Sequence, residues 1–595
     1  MQKAEKVILE SPFIKEFAEE FGDFFVKNME VGQKLADDCI VEDLIEEGNL
    51  TQQYSKITAN ASTKFRGETC NFYGLLKAMQ STDREMRKEA MTAWGDLYED
   101  ISEELDVLYD KMVPLRDRIA KKLGFTSYIE FIYLSYGRYD YTAEDVAKFR
   151  AQVKESIVPL CLKLREEQEK RLGVDKLHYY DEELIFPGGN AVPEGTTAEM
   201  VAKAQKMYHE LSKETGEFFD FMVEHELFDL ETKPGKQTGG YCTFLNTFKA
   251  PFIFSNFNGT SADVDVLTHE AGHAFEAYTA AKQIPFMDMV FPTSEVAEIH
   301  SMSMEHFTYP WMEAFFGKKA DDYRYAHLMN AMEVIPYMVC VDEFQHKVFE
   351  NIGMTAKERR EVWHQLEQNY MPWRNYDGHK FLEEGGFWMQ KQHIFVNPFY
   401  YIDYALAQIC AFQFFERSKK EPEQAWADYY RLCQAGGSKG YFESLGCSED
   451  VLGVFKVDDS YQGEVAGYTH MGQAGDATSL ENMKASIPYL RECNEIRKKE
   501  GLPELSVSMF MMAIAQVNAN YAQVEGNHSS AYGTCENLAW GYGEAGTGAS
   551  PFRGWYDYEK KQYEAGNHKF SEVGHYLNIV NPDDETTGFA LQKVN

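Results

Sequence analysis

Apolar residues recur at three- and four-residue spacing along most of this 595-residue chain, which is the pattern of amphipathic helices. The pattern runs from the start to about residue 235, as in "EELDVLYDKMVPLRDRIAKKLG", and resumes from about residue 260 to about residue 450. Between these parts, "GGYCTFL" and "APFIFSNFNG" (239–259) are short apolar and aromatic runs bounded by Gly, Pro and Asn. The sequence therefore predicts a mainly α fold with one small β-sheet.

The chain is too long for one compact core, so more than one domain is expected. The segment "SYQGEVAGYTHMGQAGDATS" (460–479) is rich in small residues and lacks periodicity, which is typical of a linker. We expect four parts: a helical lobe over 1–235, a second region over 236–455, a linker over 456–477 and a C-terminal domain over 478–595.

The charge of the chain excludes several classes of partner. Lys and Arg number 59 and Asp and Glu 95, and the net charge of −36 repels nucleic acids and anionic lipid surfaces. No apolar stretch is long enough to span a membrane, and the first residues lack the apolar core of a secretion signal. The 10 cysteines are scattered without a CxxC pair, so any metal must be held by His and carboxylates. A cytoplasmic location is expected.

The segment "LTHEAGHAFEAY" (267–278) carries two histidines four residues apart. On a helix, His269 and His273 share one face and can bind one zinc ion. Glu270 lies beside the first ligand, where a general base can reach a metal-bound water, as in HExxH zinc hydrolases. The alternative is an ordinary amphipathic helix that carries this pattern by chance.

A catalytic zinc needs a third protein ligand. In one class of HExxH protein this ligand is a histidine six residues after the second, but Thr279 occupies that position. The segment "SEVAEIHSMSMEHF" (294–307) offers Glu298 and Glu305, which share a helical face. We predict Glu298 as the ligand and Glu305 as a hydrogen-bond partner of a ligand histidine. The alternative is a solvated glutamate face.

"HEAGHAFEAY" followed by "AEIHSMSME" resembles the thimet oligopeptidase and oligoendopeptidase F family of zinc peptidases. The segments "GGYCTFL" and "NPFYYIDYALAQ" are similar to the bacterial oligoendopeptidase F branch, and the likeness covers roughly residues 1–455. The resemblance implies a mainly α zincin-like fold with a deep channel for short peptides. It also implies one catalytic zinc on His269, His273 and Glu298, with Glu270 activating the water. Substrate backbone would pair with the "GGYCTFL" strand.

The developing oxyanion needs further donors, and "HIFVNPFYYIDYALAQ" (393–408) supplies one histidine and three tyrosines. The resemblance implies a His and Tyr cluster in this part of the chain. Tyr401 and Tyr404 are three residues apart and can share a helical face, so we predict His393, Tyr401 and Tyr404 for this role, with Tyr400 set aside. The alternative is that these aromatic residues are core.

The chain departs from the family in two places. The part before "GLLKAMQSTDREMRKEA" is shorter than expected, so the helical lobe is predicted to be N-terminally shortened. The closing helix of the family is not recognisable after "ESLGCSEDVLGVF".

The C-terminal segment "NHSSAYGTCENLAWGYGE", with the residues after it, resembles the cysteine-rich secretory protein (CAP) domain, an α/β/α sandwich. The resemblance implies a polar cleft lined by His528, Glu536, Glu559 and His575. Asp557 competes with Glu559 for its place. This cleft is expected either to bind a second divalent metal or to be a hydrogen-bonded site without metal. CAP domains are mostly secreted, which leaves an extracellular location as the minor alternative.

The sequence thus predicts a zinc metalloendopeptidase that hydrolyses short oligopeptides. Two alternatives stay open. One is a zinc exopeptidase of the same helix type, and the other is a binding or scaffold protein with an inactive peptidase part and a ligand-binding CAP-like domain. The oligomeric state stays open as well.

Overall fold

The computed structural model describes residues 2–233, 236, 239–284, 286–445, 468–469, 475–507, 509–529, 535–541, 544, 547–582, 584 and 586–592. The chain forms two compact units, Met1–Gly446 and Cys447–Asn595. Most of the predicted linker, 456–477, lies outside the described residues. The boundary predicted near residue 235 falls inside the first unit and stays a prediction.

The first unit is mainly helical, as predicted. Its helices are α1 (Gln2–Leu9), α2 (Ile14–Phe21), α3 (Asp23–Leu35), α4 (Val41–Asn60), α5 (Phe72–Met79), α6 (Arg84–Lys122), α7 (Tyr128–Ser135), α8 (Ala143–Gln152), α9 (Val158–Leu172), α10 (Thr197–Leu211), α11 (Lys213–Glu224), α12 (Ala262–Gln283), α13 (Ser294–Phe307), α14 (Met312–Phe316), α15 (Ala320–Glu350), α16 (Ala356–Tyr370), α17 (Lys380–Glu383), α18 (Gln392–Val396), α19 (Ile402–Lys420), α20 (Pro422–Ala435) and α21 (Tyr441–Ser444).

A three-stranded sheet lies beside α12, in the segment where the sequence predicts one. It comprises β3 (Phe228–Glu231), β4 (Tyr241–Leu245) and β5 (Ala250–Phe257), after a separate hairpin of β1 (Thr63–Phe65) and β2 (Glu68–Cys70). The central strand β5 pairs parallel with β3 and antiparallel with β4. β4 is therefore an edge strand. The predicted hairpin is confirmed, whereas β3 is an addition that the sequence pattern did not indicate.

The turn after β5 fixes the start of α12. The Asp263 carboxylate accepts hydrogen bonds from the backbone N–H groups of Asn258 and Gly259, each at 2.8 Å. These bonds tie the turn to the first turn of the helix. The sheet and α12 then share one apolar core, which includes Ile253, Leu267 and Phe275.

The two helices that carry the zinc-peptidase motif pack unusually closely. A Cβ atom built on Gly272 of α12 would lie 2.6 Å from the Cα atom of Ser301 and 2.7 Å from the carbonyl oxygen of His300. Only glycine fits against the α13 backbone at this crossing. His273 and Glu298 lie next to this contact on the two helices.

The second unit contains α22 (Leu480–Lys499), α23 (Met509–Glu525), α24 (Glu559–Glu564) and α25 (Phe570–Ile579). Its described residues form one two-stranded parallel sheet, β6 (Ser506–Val507) and β7 (Thr586–Thr587). Tyr489, Cys493, Phe552 and Trp555 are part of its apolar core. The full α/β/α layering therefore stays a prediction. In the described ranges of both units, no helix is both long and apolar enough to cross a membrane.

Gly272→Ala is expected to destabilise the first unit by about 1–3 kcal/mol, because the new methyl group would force α12 and α13 apart. The matched control is Gly48→Ala in α4, where the added Cβ meets no atom within 4 Å. That change is expected to be neutral or to stabilise the helix by up to about 1 kcal/mol. Denaturant unfolding of the two variants measures both values, and equal effects would contradict the packing argument.

Candidate active site

The crossing of α12 and α13 brings together the three side chains that the sequence predicts as metal ligands. Each of His269, His273 and Glu298 offers a donor atom within 4.8 Å of the others, and no other group of three His, Cys, Asp or Glu residues in the described part of the chain does so. Glu298 Oε2 lies 3.3 Å from His269 Nε2 and 3.4 Å from His273 Nε2.

These donors fit zinc. Two imidazole nitrogens and one carboxylate oxygen are the donors of a catalytic zinc site with an open fourth position. Separations of 3.3 and 3.4 Å are edges of a tetrahedron. The centre of such a tetrahedron lies about 2.1 Å from each donor, which is a usual zinc bond length. The two carboxylate–imidazole separations therefore suit zinc.

Glu305 contacts His269 on the ring nitrogen that is not used for the metal. Its Oε1 lies 2.6 Å from His269 Nδ1, and its Oε2 lies 2.7 Å from His327 Nε2. Tyr309 Oη in turn lies 2.6 Å from His327 Nδ1. Burial would raise the pKa of Glu305, but the hydrogen bonds to His269 and His327 lower it to about 2. The ionised Glu305 accepts the Nδ1–H of His269, which leaves Nε2 facing the metal position.

Glu298 is also held by hydrogen bonds on both of its oxygens. Ser301 Oγ donates to Oε2 at 2.9 Å, and Tyr400 Oη donates to Oε1 at 2.7 Å. Burial opposes ionisation of this carboxyl, but the charges of His273 and His269 and their hydrogen bonds hold its pKa well below the usual range. The carboxylate is therefore ready to bind a cation.

Glu270 is on α12, and its side chain points toward the sheet. It is 7% exposed, and its Oε2 has no hydrogen-bond partner among the described residues. Burial raises its pKa. A Cβ atom at Gly240, just before β4, would lie 3.7 Å from Glu270 Oε1, so the carboxyl faces the start of this edge strand. A buried carboxylate oxygen without a hydrogen-bond partner suits a proton acceptor.

The His and Tyr residues predicted as oxyanion donors also come together. The ring centroid of His393 lies 4.9 Å from that of Tyr401, 5.8 Å from Tyr400 and 5.9 Å from Tyr404. Burial lowers the pKa of His393 to about 3, so this side chain is neutral near pH 7. Its Nδ1 has no hydrogen-bond partner in the described part of the chain.

The three tyrosines differ in where their hydroxyl groups lie. Burial and, after it, the negative charge of Glu298 raise the pKa of both Tyr400 and Tyr404, so these two residues lie on the side of that carboxylate. Tyr401 Oη instead accepts a hydrogen bond from Lys391 Nζ at 3.0 Å. The structure thus gives Tyr400, which the sequence argument set aside, a place at the metal ligands.

The four polar residues of the C-terminal unit form two separate pairs. His528 Nδ1 lies 2.6 Å from Glu536 Oε2, and His575 Nδ1 lies 2.6 Å from Glu559 Oε1. Glu559 also accepts a hydrogen bond from the backbone N–H of Tyr576. Glu559, and not its competitor Asp557, is therefore the partner of His575. No three of these side chains gather at metal-binding distance within the described residues.

Comparison with known proteins identifies both units. The model of Peptidase family M3 matches residues 77–456, which is more than half of the chain. The chain belongs to peptidase family M3. The model of the cysteine-rich secretory protein family matches residues 490–595, so this M3 family member carries a CAP domain at its C-terminal side. Both resemblances seen in the sequence are confirmed.

Solved structures and curated proteins place the chain near oligoendopeptidase F. A crystal structure assigned as oligoendopeptidase F superposes with a TM-score of 0.72 and 48% identity, over 77% of this chain and 82% of the other. PZ peptidase A with an inhibitor gives a TM-score of 0.72 and 46% identity, over 76% of this chain and 83% of the other. An oligoendopeptidase F homolog of Borreliella burgdorferi is 24% identical over 64% of this chain and 65% of its own. The M3 chain spans between 54% and 65% of the curated relatives that it matches.

Glu305→Gln is expected to weaken zinc binding about 10- to 100-fold, because an amide orients and polarises His269 less well than a carboxylate does. Competition with a fluorescent chelator measures the change. The control is Glu313→Gln, since Glu313 is exposed and pairs with Arg324 at the surface. An unchanged zinc affinity in Glu305→Gln would show that Glu305 does not support the ligand.

Proposed function

We propose that the first unit is a zinc metalloendopeptidase that hydrolyses internal bonds of short oligopeptides. His269, His273 and Glu298 would hold the zinc. The observation that carries this proposal is the convergence of their donor atoms, with carboxylate–imidazole distances of 3.3 and 3.4 Å, beside the unpartnered Oε2 of the buried Glu270. The membership in peptidase family M3 supports it.

Zinc, when bound, supplies a Lewis acid that makes water acidic enough to attack near neutral pH and that polarises the peptide carbonyl. The remaining chemistry falls to side chains of this protein. Glu270 accepts the proton of the attacking water and then delivers it to the leaving amine. Burial favours this cycle because it raises the pKa of Glu270 and so brings it closer to the working pH.

We assign stabilisation of the oxyanion to Tyr404 and His393, and orientation of Glu298 to Tyr400, whose one O–H donates to that carboxylate. Both tyrosines lie beside Glu298, one of the proposed metal ligands, and the neutral His393 can donate one N–H. Tyr401 is the exception among the residues predicted from sequence, because its hydroxyl lies at Lys391 and no contact among the described residues places it beside Glu298. We assign it a packing role beside His393.

Substrate would bind along β4. This strand pairs with β5 on one side, and among the described strands none covers its other edge. Tyr241, Thr243 and Leu245 alternate as exposed residues along it. An extended peptide can add to such an edge through main-chain hydrogen bonds. The strand lies beside Glu270, so a peptide bound there would present its carbonyl groups to the proposed zinc site.

The C-terminal unit carries no catalytic proposal. Its His and Glu residues form two hydrogen-bonded pairs, and a second metal is not proposed on them.

Turnover of an internally quenched peptide, blocked at both ends, tests the endopeptidase proposal. The purified chain with zinc is expected to cleave it, and a chelator is expected to stop cleavage. Glu270→Gln is expected to keep one zinc and to lose activity by at least about a thousandfold, because it removes the proton acceptor. Cleavage of unblocked peptides alone would favour an exopeptidase. A zinc-loaded wild type without any turnover would favour the binding-protein alternative.

The assignment of the tyrosines has its own test. Tyr404→Phe is expected to lower kcat about 100-fold with little change in KM, because it removes a donor used in the transition state. Tyr401→Phe keeps the ring and is expected to change kcat by less than about threefold. A larger loss of kcat in Tyr401→Phe than in Tyr404→Phe, measured with the same peptide, would assign the oxyanion donor to Tyr401.

A further inference from the structure

The connection between α18 and α19 has an uncommon backbone conformation immediately before Tyr400. Phe399 has a φ of +64°, in the left-handed region that bulky residues avoid, and its side chain is completely buried. Such a conformation persists only where the surroundings determine it. Tyr400 follows directly, so the direction of its side chain depends on how Phe399 is held.

Two buried polar side chains hold both peptide groups of Phe399. Its backbone N–H donates to Gln345 Oε1 at 2.8 Å, and its carbonyl accepts from Arg138 Nη2 at 2.8 Å. Arg138 comes from the connection between α7 and α8, far away in sequence. One of the two side chains that fix the conformation is therefore supplied by the N-terminal part of the peptidase unit.

The same guanidinium also holds the first turn of α19. Arg138 Nη2 lies 2.6 Å from Asp403 Oδ1, and both side chains have 0% exposure. The rings of Tyr133 and Tyr136 lie 4.8 and 5.0 Å from the guanidinium carbon. One arginine thus bonds the residue before Tyr400 and the residue before Tyr404.

Burying an ion pair costs free energy, because both charged groups lose their hydration. Apolar residues of the same volume often give equal or greater stability, so stability alone does not explain this pair. Geometry does, because one nitrogen, Nη2, donates to both the Phe399 carbonyl and Asp403 and so fixes their relative positions, which an apolar contact does not.

We propose that Arg138 is a positioning residue for the peptidase reaction, which sets the directions of Tyr400 and Tyr404 through Phe399 and Asp403. This inference rests on the proposed function of the two tyrosines. Arg138 itself would touch neither substrate nor metal.

Arg138→Lys keeps the charge, but the shorter side chain cannot place its nitrogen at the Nη2 position, from which both hydrogen bonds are donated. It is expected to lower kcat about 10- to 100-fold, because small displacements of catalytic groups are costly. KM is expected to change by less than about twofold. The matched control is Arg87→Lys. Arg87 is equally buried and also bonds a carboxylate and a carbonyl, Asp181 at 2.6 Å and Ser81 at 2.8 Å, but it lies on α6 away from the tyrosines. Equal losses of kcat in the two variants would overturn the proposal.

A second comparison separates positioning from general destabilisation. In a Tyr400→Phe and Tyr404→Phe background, Arg138→Lys is expected to cause no further loss of kcat, because the groups it positions are gone. An additive loss would overturn the proposal. If Arg138→Lys does not fold, Asp403→Asn replaces it, because asparagine keeps an acceptor oxygen for Arg138. A smaller reduction of kcat is expected in this variant.

Hydrogen exchange of residues 398–405 gives a readout that does not depend on activity. Without added zinc, faster exchange of this segment is expected in Arg138→Lys and not in Arg87→Lys. Unchanged exchange would overturn the proposal whatever the kinetics show. Faster exchange in a chain whose wild type cleaves no peptide would refute the proposed function and the catalytic part of this inference, while the anchoring of the segment would stand.

Discussion

The contact at Gly272 is the constraint on which the site depends. Two helices can present His273 and Glu298 to one point only if their backbones approach within van der Waals distance, and the absent side chain at Gly272 permits this. The cost is a buried surface crowded with polar groups. Hydrogen bonds between these polar groups offset that cost. Glu305 bonds His269, and Ser301 and Tyr400 bond Glu298. The acidic and imidazole side chains are thus held in place before any cation arrives.

A second level of support comes from parts of the chain far from the motif. His327 on α15 holds Glu305, and Arg138 in the N-terminal part holds the backbone beside Tyr400 and Tyr404. The helical region of the first unit therefore does more than enclose the sheet and α12. It supplies the buried side chains that fix the directions of the residues nearest the proposed zinc.

The sequence was informative where function depends on spacing within one helix. His269, Glu270 and His273 on α12, and Glu298 and Glu305 on α13, follow from helical periodicity and lie together in the structure. The tyrosines show where that reasoning stops. Tyr401 is the N-cap of α19 and its ring lies 5.4 Å from that of Tyr404, but the spacing does not reveal that the Tyr401 hydroxyl turns to Lys391 or that Tyr400 reaches Glu298. The left-handed Phe399 sets their directions instead. His327 and Arg138 could not be predicted either, because only the tertiary fold brings them to the site.

The free edge of β4 has a consequence for which peptides the proposed enzyme would accept. Main-chain pairing reads the N–H and C=O groups of a ligand and not its side chains. In a segment that already forms a helix or sheet, those groups are occupied by the segment's own hydrogen bonds. Binding at this edge would therefore depend first on the conformation of the peptide and only then on its sequence. A peptide segment would bind only while it is locally unstructured.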